Sequence, residues 1–136
     1  MKLSSILYRC VLFLFFAGII FILFFYYTAI YRLPLKKRKI ILGGKEFIVF
    51  VAQTETEREK GLQRIIWMPK NMGMLFLFPR ADRYCFWNKN THIPLKLIFR
   101  RKEKVVQESF LPPISKGAIT VCPQEPVDSV IEVGVN

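Results

Sequence analysis

Apolar and polar positions part sharply at residue 31. Residues 11–31, VLFLFFAGIIFILFFYYTAIY, carry no charge. At about 1.5 Å rise per residue, such a run spans roughly 30 Å as a helix, the thickness of a bilayer's hydrocarbon core. Amides in lipid must bond within their own segment, so a lone run can cross only as a helix. Tyr8 near one end, and Tyr26, Tyr27 and Tyr31 at the other, suit the two interfaces. Residues 1–31 therefore read as a transmembrane anchor, 32–44 as a basic tether broken by Pro34, and 45–136 as one small domain.

Within the domain the pattern shortens to strand length. KEFIVFVA (45–52) is apolar on both faces and predicts a central strand. Thr54 followed by Glu57 predicts a capping box and a short helix to about Lys60. Strands follow at 73–78, ended by Pro79, and at 84–87, 95–100 and 105–110. The basic stretch 100–104 is the turn between the last two. Residues 118–121 and 130–133 complete the set, and Gly43-Gly44 predicts a turn. One helix among many short strands predicts an α+β domain: a small antiparallel, partly barrel-like sheet behind a single transmembrane helix.

The net charge is +11, and residues 1–31 supply only Lys2 and Arg9. The remainder carries +9, from 19 basic against 10 acidic residues, with Arg32, Lys36, Lys37, Arg38 and Lys39 grouped after the anchor. Those cations end the helix, and Lys36–Lys39 can hold anionic headgroups at about 1 kcal/mol each. The block has no interleaved aromatics, so nucleic acid is not an expected partner. Counted as a positive flank, it places the domain in the cytoplasm. A cleaved leader is disfavoured, because the apolar run is long and no small-x-small site precedes Arg32. Cys85 and Cys122 show no CxxC spacing, and two buried free thiols are expected, with one bridge as the alternative after export.

Four stretches resemble domain-of-unknown-function family 192, a group of small bacterial and archaeal proteins. EREKGLQRI resembles its Gly-Leu-Met-x-Arg element, NMGMLFLFP its Gly-Met-Leu-Phe-x-Phe strand, and VDSVIEVGVN its closing strand. FWNKNTHIPLKLIF resembles its Phe-Trp-Met-x-Asn-Thr-x-x-Pro-Leu-Asp stretch, with Asn88 in place of Met and Lys96 in place of Asp. Gln63 stands where the family usually has Met. The resemblance spans 45–136 and implies a fold but no established reaction. Exported or anchored members are common in the family, which implies an extracytoplasmic, periplasmic-type location against the charge count.

Residues 87–94, WNKNTHIP, are the densest polar cluster beside an aromatic. Asn90 and Thr91 read first as residues that fix a turn, with Trp87 in the core. Read as a surface, Trp87, Lys89, Asn90 and Thr91, with Arg64, form a shallow ligand site. Arg64 can also bridge to a carboxylate or to carbonyls of the 88–92 turn. His92 is the single histidine and matches no zinc spacing, so neither a metal nor a cofactor is expected. No serine elbow, phosphate-cradling Gly loop or carboxylate pair occurs, so no residue is assigned a catalytic role. The chain is expected to be a membrane-anchored, non-enzymatic module that binds a partner or small polar ligand near the bilayer. A small envelope enzyme and a scaffold subunit of a membrane complex are the alternatives.

Overall fold

A computed structural model describes residues 2–27 and 34–135. Helix α1 (Lys2–Tyr27) contains Leu7–Phe25, 19 residues of mean hydropathy 2.5, long and apolar enough to cross a membrane. The expected end of the anchor at 28–31, Tyr31 included, and Arg32 lie outside the described residues. Helix α1 and the segment from Leu33 onward are separate units.

The second unit is built on a six-stranded sheet. Its strands are β1 (Lys36–Leu42), β2 (Lys45–Ala52), β3 (Met72–Asp82), β5 (Leu95–Arg101), β6 (Lys104–Leu111) and β8 (Val127–Gly134). Their order is β1-β2-β3-β8-β5-β6. The short strands β4 (Phe86–Trp87) and β7 (Thr120–Val121) form a separate antiparallel ribbon. The sheet is open and mixed, not purely antiparallel. Strands β2 and β3 run parallel, because the chain crosses over between them through helix α2 (Glu55–Lys60).

Helix α2 starts as the capping pattern predicts. Thr54 Oγ1 accepts the Glu57 N–H at 3.2 Å, and the Glu57 carboxylate accepts the Thr54 and Gln53 N–H groups at 2.9 and 2.8 Å. Those two amides, Thr54 first, hold the Glu57 carboxyl below its ordinary pKa.

Two strand assignments differ from the sequence reading. The basic block lies in β1, an edge strand paired antiparallel with β2 from Lys36↔Val51 to Leu42↔Lys45. The Gly43-Gly44 turn has φ of 54° and 77°, the left-handed geometry of a two-residue hairpin loop. The pleat explains why the strand was not legible: its Lys and Arg side chains are exposed on both faces, so no apolar alternation marks it. Strand β3 also continues through Pro79 to Asp82. The partners of β3 shift from Leu77↔Ser129 to Asp82↔Val127, and Pro79 sits in that irregularity, where a strand tolerates a residue without an N–H.

Register divides the side chains between two faces. One face packs Val49, Val51, Leu75, Ile98, Ile131 and Val133, with Ile40, Leu42, Phe47 and Leu77 against them. The other carries Phe50, Met74, Phe76, Leu97, Phe99 and Val130, and one acid, Glu132, paired with Met74 on β3 and Leu97 on β5. The β4–β7 ribbon packs on this second face through Phe86, whose ring meets Phe76 edge-on at 5.0 Å and Phe99 at 6.0 Å.

Candidate functional site

Beside that ribbon a cleft of about 220 Å³ opens onto the second face. Helix α2 and the turn after it supply Arg58, Glu59, Lys60 and Gln63; β3 supplies Phe76 and Phe78. The β4 region supplies Tyr84, Phe86 and Trp87, Thr91 closes one side, and Glu132 of β8 lies within.

The aromatic wall is held by ring contacts. Phe78 stacks on Tyr84, with centroids 3.6 Å apart and planes within 6°. The Arg58 guanidinium lies 5.2 Å from the Phe78 centroid. Arg58 Nη1 also donates to the carbonyls of Gln53 and, at 3.0 Å, Leu77. Its charge is thus committed to tying α2 to β3.

Glu132 is the group the sequence reading missed. It is 5% exposed, and among the described residues no hydrogen bond or ion pair reaches its carboxyl. Met74 and Leu97 flank it in the sheet, and it lines the same cleft as the aromatic wall. Burial pushes the carboxyl up to about 8, leaving it mostly protonated at neutral pH. The signal in the sequence was an acid inside the short run VIEV (130–133), whose other residues all read as core.

The cysteines flank the ribbon. Cys85 precedes β4 and Cys122 follows β7, directly opposite in the register that pairs Phe86 with Val121 and Trp87 with Thr120. They are bonded, with Cα atoms 4.1 Å apart, and both are exposed. The expected pair of buried free thiols is therefore overturned. The tight ribbon brings the two Cβ atoms together, and its edge faces outward.

Asn88, the residue that departs from the family motif, is the buried anchor of the following loop. It is 1% exposed, its Nδ2 donates to Pro112 O at 3.0 Å and Gly117 O at 2.7 Å, and its Oδ1 accepts Ile119 N–H at 2.9 Å. Every hydrogen-bonding atom of the amide head has a partner.

Of the predicted site residues, the cleft gathers Trp87 and Thr91. Trp87 is 54% exposed, so it is a wall and not the core residue first expected. Lys89 Nζ lies 5.3 Å from the centroid of its ring, outside the cleft lining. Asn90 and Arg64 also stand outside that lining, yet they meet: the Arg64 N–H donates to Asn90 O at 2.8 Å, and Asn90 Nδ2 donates to Gln63 Oε1 at 3.2 Å. Both have left-handed backbones, φ 63° and 54°. The sequence reading offered the Arg64 side chain a carboxylate or the carbonyls of the 88–92 turn; the bond to that turn is instead made by the Arg64 backbone N–H. His92 is exposed, and among the described residues no group of His, Cys, Asp and Glu could hold a metal.

Lys96, which stands where the resembled motif has Asp, lies on the side of the sheet away from Glu132. It pairs with Val133, whereas Leu97 pairs with Glu132, and Lys96 Nζ binds Glu108 Oε2 at 2.6 Å.

A family model described as Uncharacterized ACR matches residues 38–136, starting inside β1. Two crystal structures are similar. One is a protein of Sinorhizobium meliloti 1021, provisionally described as a transcription regulator, at 28% identity and TM-score 0.65 over 76% of this chain and 84% of that one. The other is a protein of unknown function from Novosphingobium aromaticivorans DSM 12444, at 24% identity and TM-score 0.62 over 74% of this chain and 73% of that one, a likeness of fold. No curated protein matches the chain.

Proposed function

We propose, for a chain that belongs to domain-of-unknown-function family 192, a membrane-anchored and non-enzymatic role in which the cleft binds a small ligand beside the bilayer. The observation that carries this reading is the buried Glu132 carboxyl, which opens on an aromatic-walled cleft and has no protein partner among the described residues. A concave, mostly apolar site with one placed polar group is what small-molecule recognition requires.

Trp87 and Thr91 act in this site, and Arg64, Lys89 and Asn90 shape the loop beside it. The apolar Leu7–Phe25 segment supports anchoring, with the cations of Lys36–Lys39 toward anionic headgroups. The Cys85–Cys122 bond supports an extracytoplasmic domain, since such bonds persist in oxidising compartments. The transcription-regulator description belongs to the Sinorhizobium protein and is not part of this reading.

Fragment screening by saturation-transfer NMR on the full chain in lipid nanodiscs tests the cleft. Fragments that compete for one site, and lose contact in Trp87→Ala, support the reading. Fragments unaffected by Trp87→Ala overturn it. The anchor is tested separately: release of the intact chain from vesicles by alkaline carbonate overturns it.

The enzyme alternative has one observation in its favour, a carboxyl that still holds its proton at pH 7, as a general acid must. The other acid among the cleft residues is the exposed Glu59 of α2. Turnover of an envelope substrate, abolished in Glu132→Gln, would favour that alternative.

A further inference from the structure

We infer that the cleft takes a small neutral amide, whose carbonyl oxygen accepts a hydrogen bond from the Glu132 carboxyl while the side chains of Phe76, Phe86 and Trp87 enclose the rest. The inference rests on the ligand-site reading above and names the chemistry of its occupant.

Three kinds of group could satisfy a lone buried carboxyl. An ammonium would need Glu132 ionised between Met74 and Leu97, where an anion is poorly solvated. It would also pass Arg58 and Lys60 and enter a domain of strongly positive net charge. A ligand carboxylate meets the opposite problem. The guanidinium nearest the wall is engaged by the Gln53 and Leu77 carbonyls and Lys60 is exposed on α2, so the anion would give up its water beside Met74 and Leu97. A neutral carbonyl avoids both costs. It accepts the proton that the buried carboxyl already holds, and amide oxygens are the strongest of the common neutral acceptors. The apolar side of an N-acyl group then rests against aromatic rings, and the remainder reaches the exposed face of Trp87.

The titration of Glu132 gives this inference a sign. Its carboxyl loses the donated proton near pH 8. The charged or titratable side chains of the cleft around it are Arg58, Glu59 and Lys60 on α2 and Tyr84 before β4. Met74 and Leu97, its partners in the sheet, do not titrate, nor do the bonded cysteines. If the ionised form does not bind, affinity for the amide falls about tenfold between pH 7 and pH 9.

The test uses the full chain in lipid nanodiscs, titrated calorimetrically with N-acetylglucosamine and with N-acetylalanine methylamide at pH 7 and pH 9. Glucosamine and butylamine are the amine controls. We expect an N-acyl probe to bind at pH 7 and to weaken about tenfold at pH 9. Which of the two binds more tightly assigns the amide to an amino sugar or to a peptide. Glu132→Gln, whose side-chain NH₂ still donates, should bind equally at both pH values. Glu132→Leu, which fills the same space without a donor, should lose binding at both. Binding of wild type that ignores pH, or that survives Glu132→Leu, overturns the inference. Amines that bind in preference to amides, and more tightly as pH rises, also overturn it while the ligand-site reading stands. Failure of every probe at both pH values overturns the amide, and the fragment screen then decides the cleft independently.

Discussion

Gly73 leaves open the space that the carbonyl oxygen of Glu132 occupies. A Cβ at Gly73 would overlap that oxygen and touch the side chain of Val133 at 3.0 Å. The absence of a side chain at one point on β3 thus sets how closely β8 can lie, and with it where the Glu132 carboxyl stands. Gly73→Ala should force the strands apart and cost about 1–3 kcal/mol, the range for overpacking. Gly117→Ala is a useful contrast: nothing lies near its Cβ, so the cost there comes from backbone φ alone. Chemical denaturation of the two variants measures the difference. Equal small losses would contradict the close approach of β3 and β8.

Glu132 should weaken the fold as pH rises. Its folded pKa, about 8, lies above the ordinary carboxylate value of 4.5. The folded state therefore holds a proton that the unfolded chain gives up, and the associated stability is fully present below the unfolded pKa. It is lost as pH climbs through the window between the two values. Glu132→Gln removes the titration. The variant should melt close to wild type near pH 4.5 and at least ~5 °C above it at pH 9. Parallel melting curves across that window would mean that the carboxyl is solvated.

The Cys85–Cys122 bond closes a loop of 37 residues' separation that includes the 88–94 turn, β5, β6 and β7. Loop-closure entropy puts its worth at about 4 kcal/mol. Most of that should vanish in Cys85→Ser/Cys122→Ser. The ribbon carries Phe86 and Trp87, so ligand contacts in the cleft should weaken with it. Thermal melts with and without reductant check the first point. A reductant-insensitive melt in oxidised wild type would show that the bond adds little.

Asn88 is buried with three hydrogen bonds to the 112–119 segment. Asn88→Ala leaves the Pro112 and Gly117 carbonyls and the Ile119 amide without their partner, at a cost of roughly 2–4 kcal/mol. Asn90→Ala, at an exposed residue with one side-chain bond to Gln63, should cost less than half as much. The ranking by denaturant midpoint is the test, and a reversed order would remove Asn88 as the loop's anchor.

The helix start, the central strands and the turn within the basic stretch 100–104, seen between β5 and β6 at 102–103, were legible because each is written locally. Thr54 and Glu57 stand at capping distance, and the apolar runs of β2, β3 and β5 are uninterrupted. Of the four stretches that carry the resemblance to the family, two include the apolar runs of β3 and β5. What escaped depends on partners far along the chain. Strand β1 is recognisable only from its pairing with β2, since its own side chains are mostly charged and exposed. Cys85 and Cys122 become neighbours only once β4 and β7 pair. The site was read from the polar cluster at 87–94, yet Asn90 and Thr91 in it are engaged by loop bonds, and the chemically unusual group was an acid hidden among valines and isoleucine. Polarity in a loop is ordinary; polarity on a core face is the stronger signal.

Lys96 offers the sharpest check on which face of the sheet matters. It stands where the motif that this stretch resembles has Asp, and its ion pair with Glu108 is more than a third exposed on both sides. Such pairs contribute about 0–1 kcal/mol. Its pairing with Val133 puts it on the opposite face from Glu132. Lys96→Ala should therefore change stability by less than about 1 kcal/mol and leave Glu132 undisturbed, as read from the pH titration of its side-chain carbonyl in carbon-13 spectra. Lys96→Asp, which sets an acid beside Glu108, should lose slightly more stability and recover part of it in high salt, because the repulsion is screened. A shift in the Glu132 titration by either substitution would connect the two faces and place the charge reversal inside the functional site.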